Sequence, residues 1–161
     1  MRREMDIVLK VGFLLFYEET EETFFVVREL HDKPEINKEI GMLSIPFITV
    51  TPQDLSFQTA IWRLLRKEVG ITDSRQVEIL GVFNEVFTPI RGRPDCKIVY
   101  GYGLLMDRSF RQFDPEDPGI ETVGWMTPLE LLKREEKIRM EVPLIVTHFN
   151  TKQCFQSFDC F

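Results

Sequence analysis

The sequence predicts an α/β fold, a mixed sheet with helices packed on its faces, and three observations carry that expectation. Runs of β-branched and aromatic residues recur in "IVLKVGFLLFY", "TFFVVREL", "QVEILGVFNEVF" and "KIVYGYGLLM", which is the composition of strands. Between the second and third runs, "FQTAIWRLLRKEV" sets apolar residues three and four apart, the period of a helix with one buried side. The length, 161 residues, allows one substantial core and not two. A single domain over residues 1–161 is expected.

Composition narrows the function classes. Apolar and charged fractions of 43% and 29% are those of a soluble globular chain, and 14 Phe residues supply bulky core material. A net charge of -6 argues against a sequence-independent grip on nucleic acid, which needs a surplus of Lys and Arg to neutralise phosphates. The opening "MRREMDIVLKVGFLLFY" is interrupted by Glu4, Asp6 and Lys10, so a first strand is expected rather than a signal peptide. No apolar run reaches the roughly 20 residues of a membrane span. The expected compartment is the cytoplasm. Cys96, Cys154 and Cys160 lack CxxC spacing and are expected as free thiols.

In chain order, the first two strands form an antiparallel pair across the acidic "EETEE", and "HDKPEINKEIG" is a polar loop broken by Pro34 and Gly41. "MLSIPFITV" reads as a short extended segment. Asp54 or Ser56 is placed to cap a helix that runs to about Val69, with Gly70 as its left-handed stop. The third and fourth strands flank the loop "TPIRGRPD". "IETVGWM" is a further extended segment, "TPLELLKREEKI" a helix capped by Thr127, and "MEVPLIVTHFN" a last apolar segment. Residues 150–161, with three Phe, form a candidate docking or interaction tail.

Pro46, Val50, Ala60, Arg63, Leu65, Glu68, Gly70 and Ile71, read with "IETVGWMTPLELL" downstream, carry a resemblance to the Nudix hydrolases. The family signature is GX5EX7REUXEEXGU, with U apolar, usually preceded by a Pro-Gly-Gly turn. The likeness runs from about Lys10 to about Leu132. It implies a Nudix-type α/β/α sandwich, with a mixed, mainly antiparallel-flanked sheet and helices on its faces. Counting back from Arg63 places Thr49 at the first Gly position and Leu55 at the first Glu. One inserted residue brings Asp54 onto that Glu instead.

The box, at about residues 49–71, is degenerate: Phe47 and Ile48 replace the Gly pair, Leu64 the Glu after Arg, and Lys67 the first of two adjacent Glu. On an α-helix, positions 64, 67 and 68 share a face and could jointly present oxygens to a divalent cation. Here that face offers a methyl-tipped chain, an ammonium and one carboxylate, and a charged Lys has no lone pair to give. Glu68 and Asp54 are the weak remaining metal candidates.

Lys67 has three readings: a solvated charge, an ion-pair partner of Glu68 or Asp54, or a fixed cation in place of a metal. Arg63 is expected to brace the helix, with Glu68 as its remaining local partner. By resemblance, Glu85, Glu116 and Glu121 lie in segments able to approach the pocket, Glu121 best placed and Glu116 read as a solvated loop acid. Arg91 and Arg93 could fork onto a phosphate or simply protect an edge, and Phe47, Phe87 and Trp125 could stack on a base or fill the core.

The leading functional expectation is a Nudix-like protein lacking or much reduced in metal-dependent nucleoside-diphosphate hydrolysis, binding a nucleotide or phosphate-containing small molecule through Lys67, Arg91, Arg93, Phe47 and Glu85. The alternative is a divergent hydrolase with Glu68, Arg63, Asp54 and Glu121 in a rearranged site. Only that one requires Mg²⁺ or Mn²⁺. A further alternative is a protein-interaction module, and a homodimer is open.

Overall fold

A computed structural model describes residues 8–17, 22–34, 38–87, 96–106 and 113–156, the side chains of 84–87 and 152–156 excepted. At its centre is β1 (Val8–Phe16), paired antiparallel with β2 (Phe24–Glu29) and β4 (Phe47–Thr49) and parallel with β6 (Cys96–Leu105). β3 (Leu43–Ser44) and β7 (Ile120–Met126) flank β2, and β5 (Val77–Phe87) pairs with β6. The sheet is mixed and mainly antiparallel, as expected.

β1 is apolar almost throughout because both its faces are covered. Alternate side chains point to opposite faces. Val11, Phe13 and Leu15 join Ile61, Leu64 and Leu65 in one core cluster, while Leu14 and Phe16 join Val142, Ile145 and Phe149 in the other. Helices therefore lie on both faces, in three layers. Lys10 is the one charge in this strand and is only 5% exposed.

On the first face, α1 (Phe57–Leu64) starts at Ser56, whose hydroxyl accepts a hydrogen bond from the Thr59 N–H. Leu65–Val69 continues it as a π-helical turn, closed by the Gly70 N–H donating to the Leu65 carbonyl at 2.9 Å. Gly70 takes φ 94°, and a β-carbon there would lie 2.6 Å from the Asp114 backbone nitrogen. Only glycine meets both conditions without strain.

The second face is covered from the C-terminal side. α2 (Pro128–Leu132) has the capping box of Thr127 and Glu130 and is shorter than "TPLELLKREEKI" suggests. The last apolar segment is a helix, α3 (Glu141–Gln156), which buries Val142, Ile145 and Phe149. Residues 157–161 of the expected tail lie outside the described residues. No described helix is long and apolar enough to cross a membrane.

Candidate ligand-binding site

The motif helix is anchored by one clamp. Arg63 donates from Nε to Asp54 Oδ1 at 3.1 Å, from Nη2 to Asp54 Oδ2 at 2.5 Å, and from Nη2 to the Thr49 carbonyl at 2.8 Å. The Thr51 N–H donates to the same carboxylate at 2.9 Å. These bonds, the Arg63 bond foremost, hold the Asp54 carboxyl down to about 2. Arg63 is therefore braced by Asp54, nine residues before it, and not by Glu68 as expected. A fork-to-carboxylate pair needs a partner in its plane, and Asp54 supplies it from the loop before the helix.

The shared face expected for positions 64, 67 and 68 is corrected too. The π turn spreads residues three and four apart over a wider arc than an α turn. Leu64 is fully buried in the core, Lys67 is exposed, and Glu68 is 8% exposed and turned into a pocket. For Lys67 the solvated reading fits, since none of the ion pairs among the described residues involves it.

That pocket, of about 170 Å³, lies where β1, β4 and the π turn approach the segment before α3. Its lining brings together Lys10, Lys33, Lys38 and Arg139 with Glu68 and Asp117, and with Phe47, Ile48 and Thr49 of β4. Beneath it, Glu29 holds Lys38 Nζ at 3.0 Å and Arg139 Nη1 at 3.5 Å, and Glu141 lies 3.3 Å from Arg139 Nε. The Arg139 guanidinium also sits over the Phe47 ring, 5.1 Å from its centroid. Phe47 in turn covers Gly12, where a β-carbon would come within 2.6 Å of the ring.

Two pocket groups titrate far from their ordinary values. Burial, then the charge and hydrogen bond of Asp117, pushes the Glu68 carboxyl up to about 8. Burial, then the charge of Arg139, pulls the Lys10 ammonium down to about 8. Near neutral pH, Glu68 is a neutral hydrogen-bond donor and Lys10 is mostly charged.

A NUDIX domain model matches residues 8–144, most of the chain. This chain belongs to the Nudix family. No curated protein matches its sequence. Similar solved structures include the NUDIX domain of Shewanella oneidensis NrtR complexed with ADP ribose, at TM-score 0.64 and 13% identity, covering 91% of this chain and 88% of that one. A NUDIX hydrolase from Nitrosomonas europaea matches at TM-score 0.61 and 17% identity, over 96% and 95% of the two chains. The C. elegans Ap4A hydrolase matches at 0.58 and 15%, over 94% and 99%. At these identities the likenesses concern the fold.

In this Nudix domain the candidate residues fall into separate surroundings. Glu68 and Phe47 line the cation-rich pocket, whereas Asp54 and Arg63 line an open groove of about 520 Å³ with Trp62 and Arg66. Glu121 pairs with Arg28 at 2.5 Å, and Arg28 Nη2 reaches Glu136 at 3.0 Å. Glu116 lies 3.6 Å from Arg66 at the surface. The structure does not bring Asp54, Glu68 and Glu121 together. No three His, Cys, Asp or Glu among the described residues are placed to hold one metal ion. Trp125 packs on Tyr17 and Phe25, and Cys96 is buried and free. Arg91, Arg93 and the side chains of Glu85, Phe87 and Cys154 lie outside the described residues, as does Cys160.

Sequence reasoning missed Lys10, Lys33, Lys38, Arg139 and Asp117. One signal was available: Lys10 is a lone charge inside a strand otherwise apolar on both faces, and such a charge is seldom placed there without partners. Asp117 stands next to Glu116, and its N–H, donating to the Lys67 carbonyl at 3.0 Å, docks its loop on the π turn.

Proposed function

We propose that this Nudix domain works in the cytoplasm as a ligand-binding or regulatory module, holding a nucleotide or other phosphate-containing small molecule without metal-dependent hydrolysis. The observation that carries this reading is the convergence of Lys10, Lys33, Lys38 and Arg139 on one small pocket beside Glu68. Charge-assisted donors of this kind are what a phosphate requires. Arg139 is held in place by Glu29, Glu141 and the Phe47 ring, so little ordering remains to be done when a ligand arrives.

The donor set fits a divalent cation poorly. Mg²⁺ and Mn²⁺ take oxygen ligands, and the two pocket carboxyls share a hydrogen bond amid four cationic side chains. The motif position before Leu65 is filled by a core leucine, which offers no oxygen at all.

ADP-ribose and Ap4A, named with the structural neighbours, are suitable probes. Neither is expected to yield product above background with Mg²⁺ or Mn²⁺, while a phosphate-bearing ligand binds in the presence of EDTA. Robust metal-dependent release of product from either compound would overturn the proposal.

A further inference from the structure

We infer that the pocket is built for a terminal phosphate group with three free oxygens, in preference to a phosphodiester or a bridging diphosphate. This rests on the ligand-binding reading above and narrows its ligand class.

Size is the first argument. A cavity of about 170 Å³ has the room of about six water molecules, at roughly 30 Å³ each. It lies below the roughly 300–1,000 Å³ of sites that enclose a whole drug-sized ligand. The pocket has room for one phosphate among its cations, and it opens to solvent beside exposed Lys33, where whatever the phosphate is attached to would lie.

Donor geometry is the second. Lys38 and Arg139 are engaged by Glu29, and Arg139 also by Glu141, so they form the fixed wall. Lys10 takes no part in those ion pairs, and Lys33 stands at the rim. Arg139 Nε faces Glu141 Oε2 at 3.3 Å without a hydrogen bond, and Glu29 Oε2 and both Glu141 carboxylate oxygens are likewise buried without one among the described residues, so this buried cluster serves as the wall and the available donors are the two ammonium groups. Cationic side chains thus reach the pocket from β1, the loop after β2 and the segment before α3. A terminal phosphate offers three strong acceptor oxygens, whereas a diester or a bridging phosphate offers two.

Charge is the third. Four cations line the pocket against two carboxyls, Glu68 and Asp117, so the lining itself carries a surplus of positive charge in either protonation state of Glu68. As pH rises past 8, Lys10 loses its proton and the surplus shrinks. That loss opposes an anion. Affinity is expected to fall about tenfold between pH 7 and pH 9, above the second pKa of a phosphate monoester near 6.

The test is calorimetric titration of the full chain in EDTA with inorganic phosphate, methyl phosphate, dimethyl phosphate and ADP-ribose. Methyl phosphate is expected to bind at least tenfold more tightly than dimethyl phosphate or ADP-ribose, and to weaken toward pH 9. Tight binding of inorganic phosphate with exclusion of methyl phosphate supports the same geometry and makes the free ion the ligand. Equal binding of methyl and dimethyl phosphate, or binding of ADP-ribose alone, overturns this inference while leaving the ligand-binding reading standing. If none of the four binds, the reading itself falls. Lys10→Met should weaken methyl phosphate at least tenfold and flatten its pH dependence. Lys33→Met, at the exposed rim where folding is not at issue, should weaken it severalfold, and wild-type affinity in both variants sinks the proposed geometry.

Discussion

Lys10 and Glu68 predict a minimum in the stability of the ligand-free chain near pH 8. The Glu68 carboxyl titrates near 4.5 when unfolded and about 8 when folded, so the folded state holds the extra proton between those values. Stability falls as pH rises through that window. Lys10 has the opposite sign: its ammonium is lowered from 10.5 to about 8 on folding, so the unfolded state holds the extra proton above pH 8 and stability recovers toward pH 10.5. At 1.36 kcal/mol per pKa unit, burial of the two charges costs at most about 5 kcal/mol for Glu68 above pH 8 and about 3 kcal/mol for Lys10 below it. Urea denaturation from pH 5 to pH 10 measures the curve directly. Glu68→Gln should be nearly neutral at pH 5, more stable than wild type by about 2–5 kcal/mol at pH 8.5, and should remove the acid limb of the dip. Lys10→Met should gain about 1–3 kcal/mol at pH 7 and remove the alkaline limb. Superimposable pH profiles for wild type and Glu68→Gln would refute the buried-acid argument.

Other substitutions separate the frame of the motif from its chemistry. Asp54→Ala leaves Arg63 without its carboxylate and should cost about 1–3 kcal/mol at pH 7, falling toward zero as pH drops from 4 to 2, because the depressed Asp54 pKa stabilises the fold only above that range; chemical denaturation at pH 7 and pH 2.5 checks both. Gly70→Ala forces a β-carbon against the Asp114 backbone at positive φ and should cost more than 2 kcal/mol by the same measurement. Restoring the motif acid with Leu64→Glu buries a carboxyl in the core and should cost about 3 kcal/mol or more, whereas Lys67→Glu at the surface should stay within about 0.5 kcal/mol. The double variant should gain no Mg²⁺-dependent turnover of ADP-ribose.

The fold was legible because its signals are local and repeated. The apolar runs of β1, β2, β5 and β6 are each long enough to specify a strand, and Ser56 and Gly70 mark the helix ends by chemistry that any context preserves. The site was legible only where a motif letter also had a neighbour in sequence. The spacing after Pro46 put Asp54 on a motif acid position, but its pairing with Arg63 was not legible, because Glu68 is the nearer acid in sequence and Asp54 reaches Arg63 only through the fold of the loop before the helix. The π turn was not legible, since nothing in "LRKEV" distinguishes a five-residue turn from an α turn, and assuming the usual period put Leu64, Lys67 and Glu68 on one face. The cations of the pocket come from positions as distant as 10, 38 and 139, and only the sheet brings them together.

The departures from the family motif have a common physical direction. Leu64 removes an oxygen by joining the core, Lys67 removes one by standing in solvent, and Phe47 replaces a flexible turn with a ring that supports Arg139. Of the three motif positions 64, 67 and 68, only Glu68 lines the pocket, and it lies beside Asp117 in a low-dielectric site where two like charges cannot both be held cheaply. A proton is the smallest cation that relieves them. With that proton in place the cations of the lining outnumber its charged carboxyls, and this imbalance is the physical ground for the proposal that the pocket takes an anion without a metal ion.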